Sequence, residues 1–146
     1  LGHFIWLRYL NNGEWWIFWL LMVIIAADTG ACYCGRAWGR AKLYPEVSPG
    51  KTWAGVVGGL AAAVIIGAAL GSWALPRLSP VALAGLALLL AIVGLVGDLF
   101  ESMLKRQAAV KDASELLPGH GGVLDRLDSL LFVAPLVVYL RVFLIG

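Results

Sequence analysis

Uncharged apolar runs alternate with short polar stretches along the whole chain. Thr52–Pro76 is 25 residues without a charge, and Leu78–Gly97 is another 20. A helix crossing the hydrocarbon core of a bilayer needs about 20 such residues. Trp15–Ala27 is uncharged over 13 residues and continues past Asp28 through Thr29 to Cys34. Ser129–Gly146 is interrupted only by Arg141, close enough to its end to snorkel to the interface. Four spans are therefore predicted, at about 15–34, 53–75, 79–98 and 129–145, with loops at 35–52 and 99–128. The first ten residues read as the tail of a preceding span or an interfacial helix. Barrel strands would alternate apolar and polar residues, and these runs are solidly apolar. The expected fold is all-α, a polytopic integral membrane protein with one transmembrane domain over residues 1–146.

Composition narrows this further. Of 146 residues, 61% are hydrophobic and 14% charged, against roughly 45–50% and about 25% for a soluble domain. A soluble monomer and a disordered chain are excluded. A net charge of +2 gives no basis for a nucleic-acid partner. Two cysteines, Cys32 and Cys34, with His3 and His120 as the only histidines, are a poor zinc set; they read as small apolar residues near a helix end. Position 1 is Leu, as in a processed product or a fragment.

Charge placement orients the spans. Arg36, Arg40, Lys42 and Lys51 lie in one loop and Lys105, Arg106, Lys111 and Arg126 in the other. With four spans both loops face the same side, which the positive-inside rule makes cytoplasmic. Arg8, Arg77 and Arg141 fall opposite. The acids follow the same partition: Glu46, Glu101, Asp112, Glu115 and Asp125 are in those loops, Asp28, Asp98 and Asp128 at the same ends of spans, and only Glu14 lies elsewhere. Carboxylates at span ends are costly beside lipid and face partners or a cavity.

Several clusters have chemical potential. Asp98, Glu101, Ser102 and Lys105 are spaced i, i+3, i+4, i+7, one stripe on a helix that continues the third span out of the membrane. Two carboxylates one turn apart can share a hard cation; the plainer reading is a solvated helix end with a Glu101–Lys105 pair. Lys111 and Asp112 precede Pro118-Gly119-His120-Gly121-Gly122, whose glycines free backbone N–H groups to surround an anion or simply make a turn. Asp125 and Asp128 face together at the start of the fourth span, with Arg126 between them; helix capping would also account for them. Carboxylates that hold a metal, a metal that holds phosphate, and cations that neutralise the remaining charge are the apparatus of phosphoryl or nucleotidyl transfer. In the first loop, Ser48 and Pro49 read as N-cap and first helical residue of the second span. Lys51 and Thr52 then fall in its first turn, where N–H groups attract phosphate. Gly50-Lys51-Thr52 is not a Walker A ending: Pro45 stands where glycine is needed, and no strand is expected before it. Gly55/Gly59 and Gly67/Gly71 are G-x-x-x-G pairs that permit close helix approach.

The segment 102–128, SMLKRQAAVKDASELLPGHGGVLDRLD, resembles the signature of the CDP-diacylglycerol synthase (phosphatidate cytidylyltransferase) family. GDLFES at 97–102 and LYPEVSPGKT at 43–52 resemble it too, so the similarity covers about 28–129. The resemblance implies an all-helical membrane enzyme that transfers CMP from CTP to phosphatidic acid, giving CDP-diacylglycerol and pyrophosphate for phospholipid biosynthesis. It implies Mg²⁺, with room in the family for a monovalent cation such as K⁺ beside it. It also implies a homodimer and a bacterial inner membrane with the site facing the cytoplasm. By position, Asp98, Asp125 and Asp128 correspond to metal carboxylates; Lys105, Arg106, Lys111 and Arg126 to phosphate contacts, with Asp112 among the catalytic residues. Ser48, Lys51, Thr52, Glu101, Ser102, His120, Gly121 and Gly122 correspond to substrate contacts. Two departures stand out: Ala54 replaces a usual Glu, and members are about twice as long, so only a C-terminal half is matched. A non-catalytic assembly protein derived from the family is the main alternative. A transporter using Asp28 and Asp98 as an ion path would bury its acids near mid-membrane instead.

Overall fold

The structure, a computed structural model, describes residues 2–46, 48–107 and 132–145. The apolar runs become helices where they are expected. After α1 (Gly2–Tyr9) comes α2 (Gly13–Trp38), then a small hairpin of β1 (Lys42–Tyr44) and β2 (Ser48–Thr52), then α3 (Trp53–Ala74) and α4 (Pro80–Gln107). The shorter apolar helix α5 (Phe132–Phe143) follows, passing into π-helical turns at Arg141–Ile145. Among the described residues α2, α3 and α4 are long and apolar enough to cross a membrane. The fourth expected span is described only from Phe132, so its start lies outside the described residues. Exposed Trp53 and Trp73 mark the two ends of α3. At 1.5 Å per residue they stand about 30 Å apart, the thickness of the hydrocarbon core, where interfacial tryptophans gather. By the same rise α4 is about 42 Å long, so its last turns reach beyond the core.

Small residues let the helices approach. Along α3 the buried positions are Gly55, Gly59, Ala63, Gly67 and Gly71, an unbroken i, i+4 stripe. The Gly55/Gly59 half meets the α2 backbone near Ala27 and Ala31; the Gly67/Gly71 half meets Trp19 and Val23 of α2 and Leu83 and Ala87 of α4. The G-x-x-x-G pairs thus serve packing within one chain. Lipid offers apolar side chains no less favourable surroundings than a neighbouring helix does, so such contacts hold by close packing and by interhelical hydrogen bonds. Trp19 supplies one: its buried indole N–H donates to the Gly67 carbonyl at 2.8 Å. Leu7 of α1, Leu90 of α4 and Val133 and Val137 of α5 complete the core around Trp19, Leu20 and Val23.

The two ends of the bundle differ. At one end Arg8 pairs with Glu14 at 2.6 Å, and the Arg141 guanidinium lies over the Trp16 ring at 5.9 Å. The other end carries the hairpin. There the structure corrects two sequence expectations. Strands do precede and include Gly50-Lys51-Thr52, where none is expected: the loop 35–52 contains an antiparallel pair in which Tyr44 faces Ser48 and Lys42 faces Thr52. And Ser48 does not cap the second span. Ser48 and Pro49 are extended in β2, and the N-cap is Thr52, with φ −127° and ψ 156° and its hydroxyl accepting from the Gly55 N–H at 3.1 Å. Gly50 is a poor helix former, the hairpin takes the backbone bonds, and a capping oxygen is available four residues later. Lys51 consequently sits in a strand and not in a helical first turn. Thr52→Ala should cost about 1 kcal/mol, seen as a lower melting temperature in detergent, while Thr52→Ser should retain most of it.

Candidate active site

The hairpin places Lys51 just before α3, at the mouth of a space between α2, α3 and α4. The hairpin is tied down there: the Trp53 N–H donates to the Ala41 carbonyl at 3.1 Å, and the Gly39 N–H closes α2 on Gly35 at 3.0 Å. Lys51 Nζ reaches across to Asp98 Oδ2 on α4, forming an ion pair between residues 47 apart in sequence. Their side chains are 21% and 38% exposed, so the pair is neither sealed in the core nor freely solvated.

Behind it lies a cavity of about 250 Å³. Its walls are mostly apolar, with Ile24, Leu60, Leu90 and Leu95 among them, and its glycines, Gly55, Gly59 and Gly94, keep it open. The charged residues on the lining are Asp28, Lys51 and Asp98. Asp28 is absent from the set of site residues that the sequence suggests. In the sequence it is legible only as an acid interrupting an apolar run, a signal that does not tell a cavity from an ion path; the structure turns it to the same space as Asp98.

The stripe expected on α4 is present. Glu101 and Lys105 form the i, i+4 ion pair, at 16% and 23% side-chain exposure. The plainer expectation for this pair is a solvated helix end; the contact forms, but it is largely covered. Ser102 is half-buried beside it and Arg106 is exposed on the last turn. Thr52 also lines the cavity, its hydroxyl engaged as the α3 cap. Lys111, Asp112, His120, Gly121, Gly122, Asp125, Arg126 and Asp128 lie outside the described residues. So do two of the three expected metal carboxylates, and among the described residues no group of three or more His, Cys, Asp or Glu gathers. What is present has the right donor chemistry for a hard cation: a carboxylate oxygen of Asp98 already receives a positive charge, that of Lys51, and carboxylate oxygens are what Mg²⁺ prefers.

The cavity between α2, α3 and α4 thus has a charged mouth, with two carboxylates and one ammonium on its lining, and mostly apolar walls. A model of the cytidylyltransferase family matches residues 2–144. The chain belongs to this family. It is 40% identical over 143 residues to the phosphatidate cytidylyltransferase of Haemophilus influenzae, covering 92% of this chain and 48% of the relative. It is 42% identical over 139 residues to that of Bacillus subtilis, covering 94% and 52%. With the Pseudomonas aeruginosa protein of the same name it shares 51% over 117 residues, 80% and 43% of the two chains. The chain spans about half the length of the curated relatives it matches. Family membership and the apolar helices together make it an integral membrane protein.

Proposed function

We propose that this chain performs cytidylyl transfer: CTP and phosphatidic acid give CDP-diacylglycerol and pyrophosphate, for phospholipid biosynthesis. The observation that carries the reading is the Lys51–Asp98 pair at the mouth of the cavity between α2, α3 and α4; the names of the relatives supply the substrates. A phosphate oxygen of phosphatidic acid attacks the α-phosphorus of CTP. A new P–O–P link forms, the bond from the α-phosphorus to the bridging oxygen breaks, and pyrophosphate leaves with the electron pair. The nucleophile is already an anion at neutral pH, so no strong base is required; charge neutralisation and alignment do the work. Lys51, which lines the cavity beside Asp98, is assigned to hold a phosphate. Lys105 and Arg106 follow on the same helix as Asp98, and Lys111, Arg126, His120 and the glycines at 121 and 122 are assigned to the remaining phosphate oxygens. Ser48, Glu101 and Ser102 are assigned to substrate contacts, and Asp112 to the catalytic residues. Asp98, Asp125 and Asp128 would hold Mg²⁺, with a monovalent cation such as K⁺ as a second proposed ion, and the Mg²⁺ when bound would draw charge from the α-phosphoryl group.

The hairpin end, rich in Lys and Arg, is assigned to the cytoplasmic side of a bacterial inner membrane. A homodimer, if formed, would need a surface other than the α3 glycine stripe, which α2 and α4 already fill.

The test is a pyrophosphate-release assay on the purified chain in detergent, with CTP, phosphatidic acid and Mg²⁺ each left out in turn. Release is expected only when all three are present and should vanish with a chelator. A folded chain that binds neither CTP nor phosphatidic acid would favour the assembly-protein reading instead.

A further inference from the structure

The last turns of α2 and the adjoining strand β1 form a surface that the transfer chemistry does not use. Arg36, Arg40 and Lys42 are exposed there, and none of them makes an ion pair with an acid among the described residues. Beside them Tyr33 is 72% exposed, Trp38 73% and Tyr44 50%. Three cations and three large aromatics thus lie within a dozen consecutive residues, against one acid of the hairpin, Glu46.

The arrangement is built. In β1 the pleat turns Lys42 and Tyr44 outward and leaves Leu43 half-buried, so one face of the strand presents a cation and an amphipathic ring. The Trp53–Ala41 hydrogen bond and the approach of Gly39 to Thr52 fix the hairpin against the end of α2. Tyr33 and Arg36, three apart on α2, share a helix face. Exposed aromatics in such number would be a liability in water, whereas at headgroup depth Trp and Tyr are at home. Arginine offers phosphate a planar pair of donors.

We propose that this rim is a docking surface for the headgroups of anionic phospholipids in the surrounding bilayer, distinct from the cavity. Charge complementarity selects that occupant: the surface is cationic, it is flanked by aromatics suited to the interface, and it lies where α2 leaves the apolar layer. Because β2 carries Lys51 from this rim to the cavity mouth, bound anionic lipid would be gathered beside the site. The proposal rests on the membrane-spanning helices and not on the transfer reaction, so either can fail alone.

The experiment reads lipid association and not turnover. The chain is reconstituted in phosphatidylcholine vesicles holding a trace of spin-labelled phosphatidylglycerol or spin-labelled phosphatidylcholine, and the motionally restricted fraction is measured by electron spin resonance. Each basic side chain at an anionic surface strengthens association by about five-fold, and lipid exchange around the whole perimeter dilutes this. The native chain should therefore prefer phosphatidylglycerol by about three-fold. The triple variant Arg36→Gln, Arg40→Gln, Lys42→Gln should lose at least half of that preference, and Arg36→Lys, Arg40→Lys, Lys42→Arg should keep most of it. Raising NaCl to about 0.5 M should weaken it in the native chain, a result independent of any variant's folding. A native chain with no preference, or a triple glutamine variant with undiminished preference, overturns the proposal.

Discussion

Asp98→Asn should lower turnover by roughly 100-fold or more while leaving the helices in place. The replacement is isosteric and sits on a long, well-packed helix, so what it removes is charge. Losing one electrostatic contact to a reacting group costs about 10²–10³ in rate. Its partner makes the experiment sharper. Lys51 is only 21% exposed in its side chain, so removing the carboxylate leaves a partly covered ammonium without its counter-charge. A loss of about 1–2 kcal/mol in stability should accompany the loss of rate, between the values for surface and buried pairs. In the double variant Lys51→Met, Asp98→Asn, much of that stability should return, because the stranded charge is gone, and activity should not. Stability would then be non-additive by at least about 0.5 kcal/mol, measured by thermal unfolding in detergent, with pyrophosphate release followed in parallel. Turnover near the native level in Asp98→Asn would remove Asp98 from the chemistry.

Why the spans can be read and the site only in pieces follows from how each is encoded. A membrane helix is announced by length and apolarity alone, so Trp53–Ala74 and the start of α4 match their sequence limits within a residue or two. The stripe Asp98, Glu101, Ser102 and Lys105 is legible because helical spacing is local. The pairing of Lys51 with Asp98 is not, since nothing within either segment names a partner 47 residues away. The two Ser-Pro dipeptides show where local rules stop. Ser79-Pro80 does what the rule says: the Ser79 hydroxyl accepts from the Ala82 N–H at 3.2 Å and α4 begins at Pro80. Ser48-Pro49 does not, because Gly50 follows it, Lys42–Tyr44 is available to pair with it, and Thr52 offers a better-placed cap. The glycine pairs are visible as pairs, but their partners in α2 and α4 are not. The segment from Lys111 to Asp128, which carries most of the family signature, lies outside the described residues, so the metal carboxylates there rest on the resemblance.

The same substitution at two glycines should have opposite signs. Gly59→Ala is expected to destabilise the chain by about 1–3 kcal/mol, the usual cost of forcing a methyl group into a close-packed contact. A Cβ at Gly59 would stand 2.7 Å from the Ala27 carbonyl oxygen and 3.1 Å from the Ala31 Cβ. The nearer obstacle is backbone of α2, which cannot turn aside as a side chain would; relief requires the two helices to separate. A methyl group added at Gly85 on α4 would find nothing within 4 Å, so Gly85→Ala meets no obstacle and gains the helix-propensity difference of up to about 1 kcal/mol. Circular-dichroism melts of the two variants in one detergent should therefore move in opposite directions from the native chain. The displacement has a functional consequence. Gly59 lines the cavity that Asp28 and Asp98 share, so pushing α2 away from α3 carries Asp28 outward, and turnover in Gly59→Ala should fall further than its stability accounts for at temperatures where it is still folded. Equal melting shifts for the two glycines would mean that the α2–α3 seam is looser than these contacts require, and that the cavity's width is not set by glycine.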